Sequence, residues 1–381
     1  MSMPNLNRSI ESVGIGFAAF LSPPGPDVIR FTVGQPDFDT PAPVVVEAKA
    51  ALDRGETAYT RTQGSVELCQ AVAEHLSSYD IHVRHDDVLV TPGCKQALLY
   101  SLMAALDAGD EVLLMAPAWP SYDGMVKLLD CTPVHVPVRK DNYHPDFEKL
   151  ERAVTAKTKL IVLNSPNNPT GAVYTPDEVE TLVKFAVKHD LWIVDDMIYA
   201  GLVWADHTYT SPCSFSGGAE RTFTVGGWSK EWAMTGWRLG WITGPSHAID
   251  AVKKINVSAA THVPTFLMPA ATVALGLHDE TAEMAASFKQ RRDVVHRLLS
   301  ELPGIVVPEP EGAFYAFCDV SGTGMDDLEF ANRALEEAKV QLIPGSLMEG
   351  GEGFVRISYA TSLDDIREGV SRLEAWLNAI R

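Results

Sequence analysis

A lysine follows a β-rich run and a Gly-Gly pair, in the order Thr222–Val225, Gly226-Gly227, Lys230. In α/β proteins the carboxyl end of a strand is where binding sites form, so Lys230 is expected to face such a site. A lysine that is partly desolvated there favours the free amine, which can condense with an aldehyde. Arg238 lies eight residues later and could bind a phosphate or a carboxylate on the same wall. Taken alone, this spacing is equally compatible with a surface lysine beside a loop.

An asparagine and an aspartate each follow another β-rich run. The loop Asn164–Gly171 contains two prolines and a glycine, which impose an irregular path that presents Asn168 at the sheet edge. The Asn168 amide can hydrogen-bond a phenolate oxygen without adding charge. Asp196 ends the next run, where a carboxylate can keep a pyridinium N–H protonated. Asp195 and a helix-capping role are the alternatives, and the Asp-x-x-Tyr spacing to Tyr199 favours Asp196.

A fourth segment, Thr91–Leu98, has the pattern of a strand end, a glycine turn and a helix start. The backbone N–H groups of Cys94 and Lys95 at a helix N-terminus would form an anion site suited to a phosphate. Many strand-to-helix turns share this pattern, so the segment alone does not identify a site.

Short β-rich runs alternate with helical patterns in two stretches, which is typical of a mostly parallel α/β sheet. From about residue 280 a long charged helix leads to further strand-like and helical runs. We therefore predict a large domain over residues 40–278. Residues 1–39, with an N-terminal arm, and 279–381 would form a smaller α+β domain. The predicted strands are Val88–Thr91, Glu111–Met115, Leu160–Leu163, Leu191–Val194, Thr222–Val225, Leu239–Thr243, Phe314–Asp319 and Phe354–Ser358.

The composition narrows the classes of partner. The 381 residues carry a formal net charge of −19, and such a surface repels nucleic acid and anionic lipid. The five cysteines lack a CxxC pair, which predicts neither a disulfide framework nor a metal site. The N-terminus lacks a basic segment followed by an apolar run, and no apolar stretch is long enough to span a membrane. We expect a soluble cytoplasmic protein that binds neither nucleic acid nor membrane.

The motifs together resemble the class I/II aminotransferases, which are fold type I enzymes that use pyridoxal phosphate (PLP), and aspartate aminotransferase-like members in particular. The resemblance covers essentially the whole chain. It implies an α/β fold with a mostly parallel seven-stranded sheet between helices, plus the smaller α+β domain. The motifs are Val33–Phe38, Tyr59, Pro117–Trp119, Asn164–Gly171, Asp196–Tyr199, Ser229–Arg238, Pro310–Tyr315 and Phe354–Ser358.

The resemblance implies a cofactor-binding role for most of these positions. Lys230 would form a Schiff base with PLP and move the substrate proton, and Asp196 would pair with the pyridine nitrogen. Trp119 would stack on the ring, and Asn168 and Tyr199 would hydrogen-bond its phenolate oxygen. The residues implied to hold the phosphate are Cys94, Lys95, Ser229 and Arg238.

The resemblance also implies how the substrate and a second subunit are bound. Arg356 would bind the substrate α-carboxylate through two parallel bonds, helped by the Gly34 backbone and Asn168. Closure of the small domain would deliver Arg356 to the substrate. Tyr59 would reach the phosphate of the neighbouring subunit, which implies a homodimer with shared active sites.

Three functions are compatible with these motifs. The first is transfer of an amino group from an L-amino acid to a 2-oxo acid, through pyridoxamine phosphate. The second is a β-eliminating C–S lyase that uses the same Lys230 and Arg356. The third is a catalytically silent PLP-binding domain, against which the joint presence of Lys230, Asp196, Tyr199 and Arg356 argues. We predict a PLP-dependent aminotransferase.

The side chain of the substrate stays open at this point. Lys95 resembles a lysine that some aspartate-using members place against a distal carboxylate, although an exposed lysine at a helix start is equally compatible. Asn256–Leu267 lacks the arginine that another aspartate-using subgroup has there, and offers Thr261 and His262 instead. His262 is either near the substrate entrance or a packing residue. The residues that could instead suit an aromatic or methionine-like side chain are Trp119, Phe314 and Tyr315.

Overall fold

A computed structural model describes residues 7–11, 13–14, 25–204 and 207–380. The strands in these ranges are β1 (Ile29–Arg30), β2 (Val88–Thr91), β3 (Glu111–Ala116), β4 (Thr132–Pro137), β5 (Thr158–Asn164), β6 (Trp192–Asp196), β7 (Thr222–Gly227), β8 (Gly240–Thr243), β9 (Tyr315–Asp319), β10 (Val340–Gln341), β11 (Ile343–Pro344) and β12 (Phe354–Ser358).

The helices of the described residues lie mostly between these strands. They are α1 (Arg8–Glu11), α2 (Ala42–Asp53), α3 (Val66–Ser77), α4 (Cys94–Ala105), α5 (Pro120–Leu128), α6 (Phe147–Ala153), α7 (Pro176–Lys188), α8 (Ser246–Ala259), α9 (Met268–Leu275), α10 (His278–Ser300), α11 (Asp327–Glu337) and α12 (Leu363–Ala379).

Seven strands form one sheet in the order β2-β8-β7-β6-β5-β3-β4. Only β8 runs antiparallel to its neighbours β2 and β7, and the other pairs are parallel, so the predicted fold class is confirmed. In the register, Asn164 of β5 lies beside Asp196 of β6, and Asp196 lies beside Val225 of β7. The carboxyl ends of these three strands therefore meet at one edge, which is where the predicted site residues follow.

Helices cover both faces of this sheet because the strand side chains alternate between them. In β5, Leu160 and Val162 pack with α4, α5 and α8, whereas Ile161 and Leu163 pack with α6 and α7. The start of α7 has a capping box. The Thr175 side chain accepts a hydrogen bond from the N–H of Glu178, and the Glu178 side chain accepts one from the N–H of Thr175. This box satisfies two N–H groups that would otherwise lack an acceptor.

A second, three-stranded antiparallel sheet has the order β11-β12-β9 and carries Arg356 in β12, opposite Phe317 of β9. Its core includes Phe314, Phe330 and Trp376. The short strand β1 pairs in parallel with β10, which brings the chain segment before Gly34 against this sheet. Of the predicted N-terminal arm, residues 1–6, 12 and 15–24 lie outside the described residues.

Candidate active site

A cavity of about 320 Å³ opens at the carboxyl ends of β5, β6 and β7, between the two sheets. It is lined by side chains from both sheets and from the loops between them. The lining residues are Thr32, Gly34, Cys94, Lys95, Leu98, Trp119, Tyr122, Asn164, Asn168, Asp196, Ile198, Tyr199, Ser229, Lys230, Thr235, Arg238, Tyr315 and Arg356.

Lys230 reaches this cavity because it follows β7 by three residues. Its Nζ is enclosed by protein and donates a hydrogen bond to the carbonyl oxygen of Gly34 at 2.6 Å. Burial, together with the nearby Arg356 and Arg238 guanidinium groups, lowers the pKa of Lys230 to about 8. A lysine with this pKa has a substantial share of free amine near neutral pH, so Lys230 can act as a nucleophile or a proton acceptor.

Asp196 is the last residue of β6, and its carboxylate is buried at the cavity wall. Oδ2 accepts a hydrogen bond from the Tyr122 hydroxyl at 2.6 Å, and Oδ1 accepts the N–H of Ile198 at 3.2 Å. The Sγ of Cys94 lies 3.7 Å from Oδ1. Burial raises the pKa of Asp196 to about 6, although the Tyr122 hydrogen bond opposes the rise.

The adjacent carboxylate of Asp195 points away from the cavity, as expected for neighbouring residues on a strand. It accepts hydrogen bonds from Tyr209 at 2.6 Å and from Ser211 at 3.4 Å. The two neighbouring carboxylates therefore lie in different surroundings, and Asp196 is the one that faces Lys230.

A site with positive electrostatic potential lies where α4 begins. Gly93, with φ of 84°, precedes the helix, and the first helical N–H groups, those of Cys94 and Lys95, have no earlier acceptor within α4. A side chain at position 93 would meet the Arg238 guanidinium, since a Cβ there would lie 2.5 Å from Nη2. A Cβ at Gly240 would lie 2.4 Å from the Cys94 nitrogen. The two glycines thus let the Arg238 guanidinium and the first residues of β8 lie close to the start of α4, which forms an anion-binding corner.

Arg356 forms the opposite wall, in the smaller sheet. Its Nη1 donates to Oδ1 of Asn168 at 2.9 Å, and its Nη2 donates to the carbonyl oxygen of Thr32 at 2.8 Å. The guanidinium lies 4.6 Å from the ring centre of Tyr315. These contacts hold the planar fork at the cavity, a geometry that suits a carboxylate.

Two further pairs line the cavity. The hydroxyl groups of Tyr199 and Tyr315 are hydrogen-bonded at 2.8 Å, and burial raises the pKa of Tyr199 well above its usual value. Lys95 is an exposed residue, but its Nζ lies 4.8 Å from the centre of the Trp119 ring. Burial of its tip and the charge of Arg238 lower the pKa of Lys95.

The structure brings all but one of the sequence-predicted site residues to this cavity. Tyr59 is the exception: it is 92% exposed in the single chain, and its ring contacts His262. The suggestion that Phe314 could meet the substrate is wrong, because Phe314 is buried in the small-sheet core against Phe288. The lining residues that sequence reasoning missed include Thr32, Tyr122, Asn164 and Thr235.

Comparison with known proteins identifies the family. The profile of the family "Aminotransferase class I and II" matches residues 26–373 of the chain. The chain belongs to this family. A curated relative of this aminotransferase, the aspartate aminotransferase of Thermotoga maritima, is 40% identical over 357 residues, which cover 93% of each chain. The aromatic-amino-acid aminotransferase 2 of Thermococcus litoralis is 38% identical, with 91% of each chain covered.

Solved structures agree with the sequence comparison. The aspartate aminotransferase of Thermus thermophilus with maleate superposes on this aminotransferase with a TM-score of 0.93, at 35% identity, covering 98% of this chain and all of the other. The protein is therefore an enzyme that transfers amino groups, as predicted, and the comparisons do not support the lyase alternative. Membership of the family implies PLP as the cofactor.

Neither a membrane-spanning helix nor a cluster of metal ligands occurs in the described part of this aminotransferase. Within it, no helix combines the length and the apolar character needed to cross a membrane. The same residues contain no group of three or more His, Cys, Asp and Glu side chains arranged to hold a metal ion.

Proposed function

We propose that this aminotransferase binds PLP through Lys230 and moves the amino group of an acidic L-amino acid, aspartate or glutamate, to a 2-oxo acid. The observation that carries the proposal is that one cavity encloses the Lys230 amine, the buried Asp196 carboxylate and the Arg356 guanidinium. These three groups are the minimum needed to hold an aldehyde cofactor, keep its ring nitrogen protonated and bind a carboxylate substrate.

The residues present fit PLP. The corner formed by the first N–H groups of α4 and by Arg238 suits a phosphate, and Ser229 lines the same cavity. Asp196 lies on the wall where a ring nitrogen needs a carboxylate partner, and Trp119 offers an aromatic face. Bound PLP supplies an aldehyde that condenses with amines and a ring that withdraws electrons from the substrate α-carbon.

Side chains of the protein would transfer the proton, hold the cofactor ring and bind the substrate carboxylate. Lys230 Nζ takes the proton from the substrate α-carbon and returns it, which a pKa near neutrality allows. Asp196 holds the proton on the ring nitrogen, and its burial excludes water that would weaken the pairing. Asn168 and Tyr199 hydrogen-bond the ring oxygen, while Arg356 fixes the α-carboxylate with its planar fork.

The preference for an acidic donor is supported by Lys95. Its Nζ is the ammonium nearest to the Trp119 face at the cavity, where the side chain of a bound amino acid would extend. The solved relative from Thermus thermophilus is an aspartate aminotransferase described with maleate, a dicarboxylate. An ammonium beside an aromatic face attracts a second carboxylate more strongly than it attracts a neutral side chain.

We also propose the homodimer and the two-domain division. Tyr59 is highly exposed and borders a surface hollow with Thr57, His262 and Phe266, which is a form that a second subunit would cover. Arg356 belongs to a separate sheet with its own core, which supports a small domain of residues 1–39 and 279–381 packed on a large domain of residues 40–278. Sedimentation of the PLP-loaded protein at several concentrations tests the dimer.

The substrate proposal is tested by a panel of donors. Purified PLP-loaded enzyme is given aspartate, glutamate, phenylalanine or a β-substituted alanine, with and without a 2-oxo acid. The proposal expects amino transfer that requires the 2-oxo acid, with the highest kcat/KM for the two acidic donors. Release of pyruvate and ammonia without a 2-oxo acid, or a clear preference for phenylalanine, would overturn it.

A further inference from the structure

Two tyrosines join the two sheets across the cavity. Tyr199 follows β6 of the seven-stranded sheet, and Tyr315 is the first residue of β9 in the three-stranded sheet. Their hydroxyl oxygens lie 2.8 Å apart, although the residues are 116 positions apart in the chain. Both side chains are buried, and both line the cavity that contains Lys230. A hydrogen bond in such surroundings is stronger than the same bond in water.

The surroundings of Tyr315 hold its ring and its hydroxyl in one place. The ring packs edge-on against the Tyr199 ring, with centres 5.8 Å apart, and lies 4.6 Å from the Arg356 guanidinium. The hydroxyl lies against the backbone of Gly34, since a Cβ at that glycine would be 2.2 Å from the hydroxyl oxygen. Within the described ranges 7–11, 13–14, 25–204 and 207–380, this hydroxyl has no hydrogen-bond partner other than Tyr199.

The direction of this hydrogen bond follows from the protons and acceptors that are available. Burial raises the pKa of both tyrosines, so each hydroxyl keeps its proton near neutral pH. If Tyr199 donated to Tyr315, the Tyr315 proton would have no acceptor among the described residues, which is costly for a buried hydroxyl. If Tyr315 donates to Tyr199, the Tyr199 proton is free for an acceptor in the cavity. This second arrangement satisfies both hydroxyls once a ligand oxygen is present.

We propose that Tyr315 is a positioning residue, whose hydroxyl donates to Tyr199 and so directs the Tyr199 proton to the ring oxygen of the cofactor. The inference rests on the proposed function, in which Tyr199 hydrogen-bonds that oxygen. A hydroxyl that accepts a hydrogen bond becomes a better donor, so Tyr315 also strengthens the bond that Tyr199 gives. Because Tyr315 packs against Arg356, the smaller sheet carries the substrate-binding arginine and this donor together.

The consequence can be measured in the absorbance of the bound cofactor. A negative charge on the ring oxygen stabilises the proton on the linkage between the cofactor and Lys230, and a hydrogen bond to that oxygen disperses the charge. The linkage then loses its proton at a lower pH. Loss of the hydrogen bond should therefore move the midpoint of the absorbance change to higher pH. A substitution that only loosened the fold would lower the melting temperature and leave the midpoint in place.

A third buried tyrosine, Tyr359, provides a matched control in the small-sheet core. Its hydroxyl accepts the Nε1–H of Trp204 at 3.1 Å and donates to the carbonyl oxygen of Ala313 at 3.2 Å. Tyr359 does not belong to the cavity lining. Tyr359→Phe therefore removes two buried hydrogen bonds that do not involve Tyr199. Tyr315→Phe removes the hydroxyl alone and keeps the ring that packs against the Arg356 guanidinium.

The experiment compares Tyr199→Phe, Tyr315→Phe, the variant with both changes and Tyr359→Phe in the PLP-loaded enzyme. The readouts are the pH midpoint of the cofactor absorbance, the dissociation constant of maleate and the melting temperature. Tyr199→Phe should raise the midpoint by about one unit, the equivalent of one hydrogen bond. Tyr315→Phe should raise it by roughly half as much, and the double variant should match Tyr199→Phe. The maleate constant of Tyr315→Phe should stay within about twofold, because the ring beside Arg356 is kept.

Tyr359→Phe separates positioning from stability, since it should lower the melting temperature and leave the midpoint unchanged. An unchanged midpoint in Tyr315→Phe, or a double variant whose midpoint rises beyond that of Tyr199→Phe, would overturn the inference. So would a maleate affinity that weakens as the midpoint of Tyr315→Phe rises, because the Arg356 site would then be disturbed. If Tyr199→Phe itself leaves the midpoint in place, the proposed role of Tyr199 falls together with the inference, and the two failures are thus distinct.

Discussion

The hydroxyl of Tyr122 donates a 2.6 Å hydrogen bond to Oδ2 of Asp196, the carboxylate that faces Lys230. Since this bond favours the ionised form of Asp196, Tyr122→Phe should raise the pKa of that carboxyl further above its present value of about 6. The acid limb of the kcat/KM profile should then move to higher pH by about one to two units.

The control for Tyr122→Phe is Tyr209→Phe. Tyr209 makes an equally short bond, but to Asp195 on the other face of the strand. Its loss should leave the acid limb in place. Equal displacement of the limb in both variants would show that the bond to Asp196 has no special role.

The two adjacent acids should differ sharply when each is made neutral. Asp196→Asn removes the charge that keeps a ring nitrogen protonated, and we expect kcat to fall by at least about a hundredfold. Asp195→Asn should leave kcat within about fivefold of the wild type and lower the melting temperature only, because Asp195 contacts Tyr209 and Ser211 away from the cavity. A larger loss of kcat in Asp195→Asn than in Asp196→Asn would reverse the assignment.

A buried histidine makes stability depend on pH. His144 bonds to Glu178 at 2.7 Å and to Glu311 at 3.1 Å, which links the start of α7 to the segment before β9. Burial alone lowers the pKa of His144, but the two carboxylates outweigh it and raise the pKa from 6.5 to about 9. The resulting stability is fully present below pH 6.5 and is lost as the pH rises through about 9, with a maximum of about 3 kcal/mol.

Urea unfolding between pH 6 and pH 10 checks this with His144→Gln. The difference in the free energy of unfolding between wild type and variant should shrink across that range. His189→Gln, which removes a surface partner of Glu151, serves as control and should change stability by less than about 0.5 kcal/mol at every pH. A His144→Gln difference that stays constant with pH would refute the charged arrangement.

The donor preference should depend on Lys95. Lys95→Ser removes the ammonium above Trp119, so kcat/KM for aspartate and glutamate should fall about tenfold or more, with little change for phenylalanine. The informative quantity is the ratio of acidic to neutral donors in the same variant. If that ratio equals the wild-type ratio, the distal carboxylate is bound elsewhere.

The site residues that follow strand ends could be predicted from the sequence. Lys230, Asp196 and Asn168 each follow a β-rich run, and the carboxyl ends of parallel strands must share an edge, so their convergence could be expected. The strand β4 escaped prediction because two prolines, Pro133 and Pro137, interrupt its pattern, which an edge strand tolerates.

Other site residues were missed because their partners are distant in the sequence. Tyr122 bonds Asp196 across 74 residues, and Thr32 bonds Arg356 across 324. Spacing carries no signal for such pairs, although the Trp119-x-x-Tyr122 interval at the start of α5 could have drawn attention to Tyr122. Tyr59 is a different case. The phosphate that it is predicted to reach belongs to a second subunit, so a single chain cannot bring Tyr59 to its predicted site.

We expect Lys230, rather than Lys95, to carry the cofactor. Borohydride reduction of the PLP-loaded enzyme makes the link between cofactor and lysine permanent, and trypsin then cannot cut after the modified residue. Mass spectrometry should find the cofactor on the joined peptide Thr222–Arg238. Cofactor on the joined peptide His85–Lys127, which contains Lys95, would show that Lys230 is not the anchor.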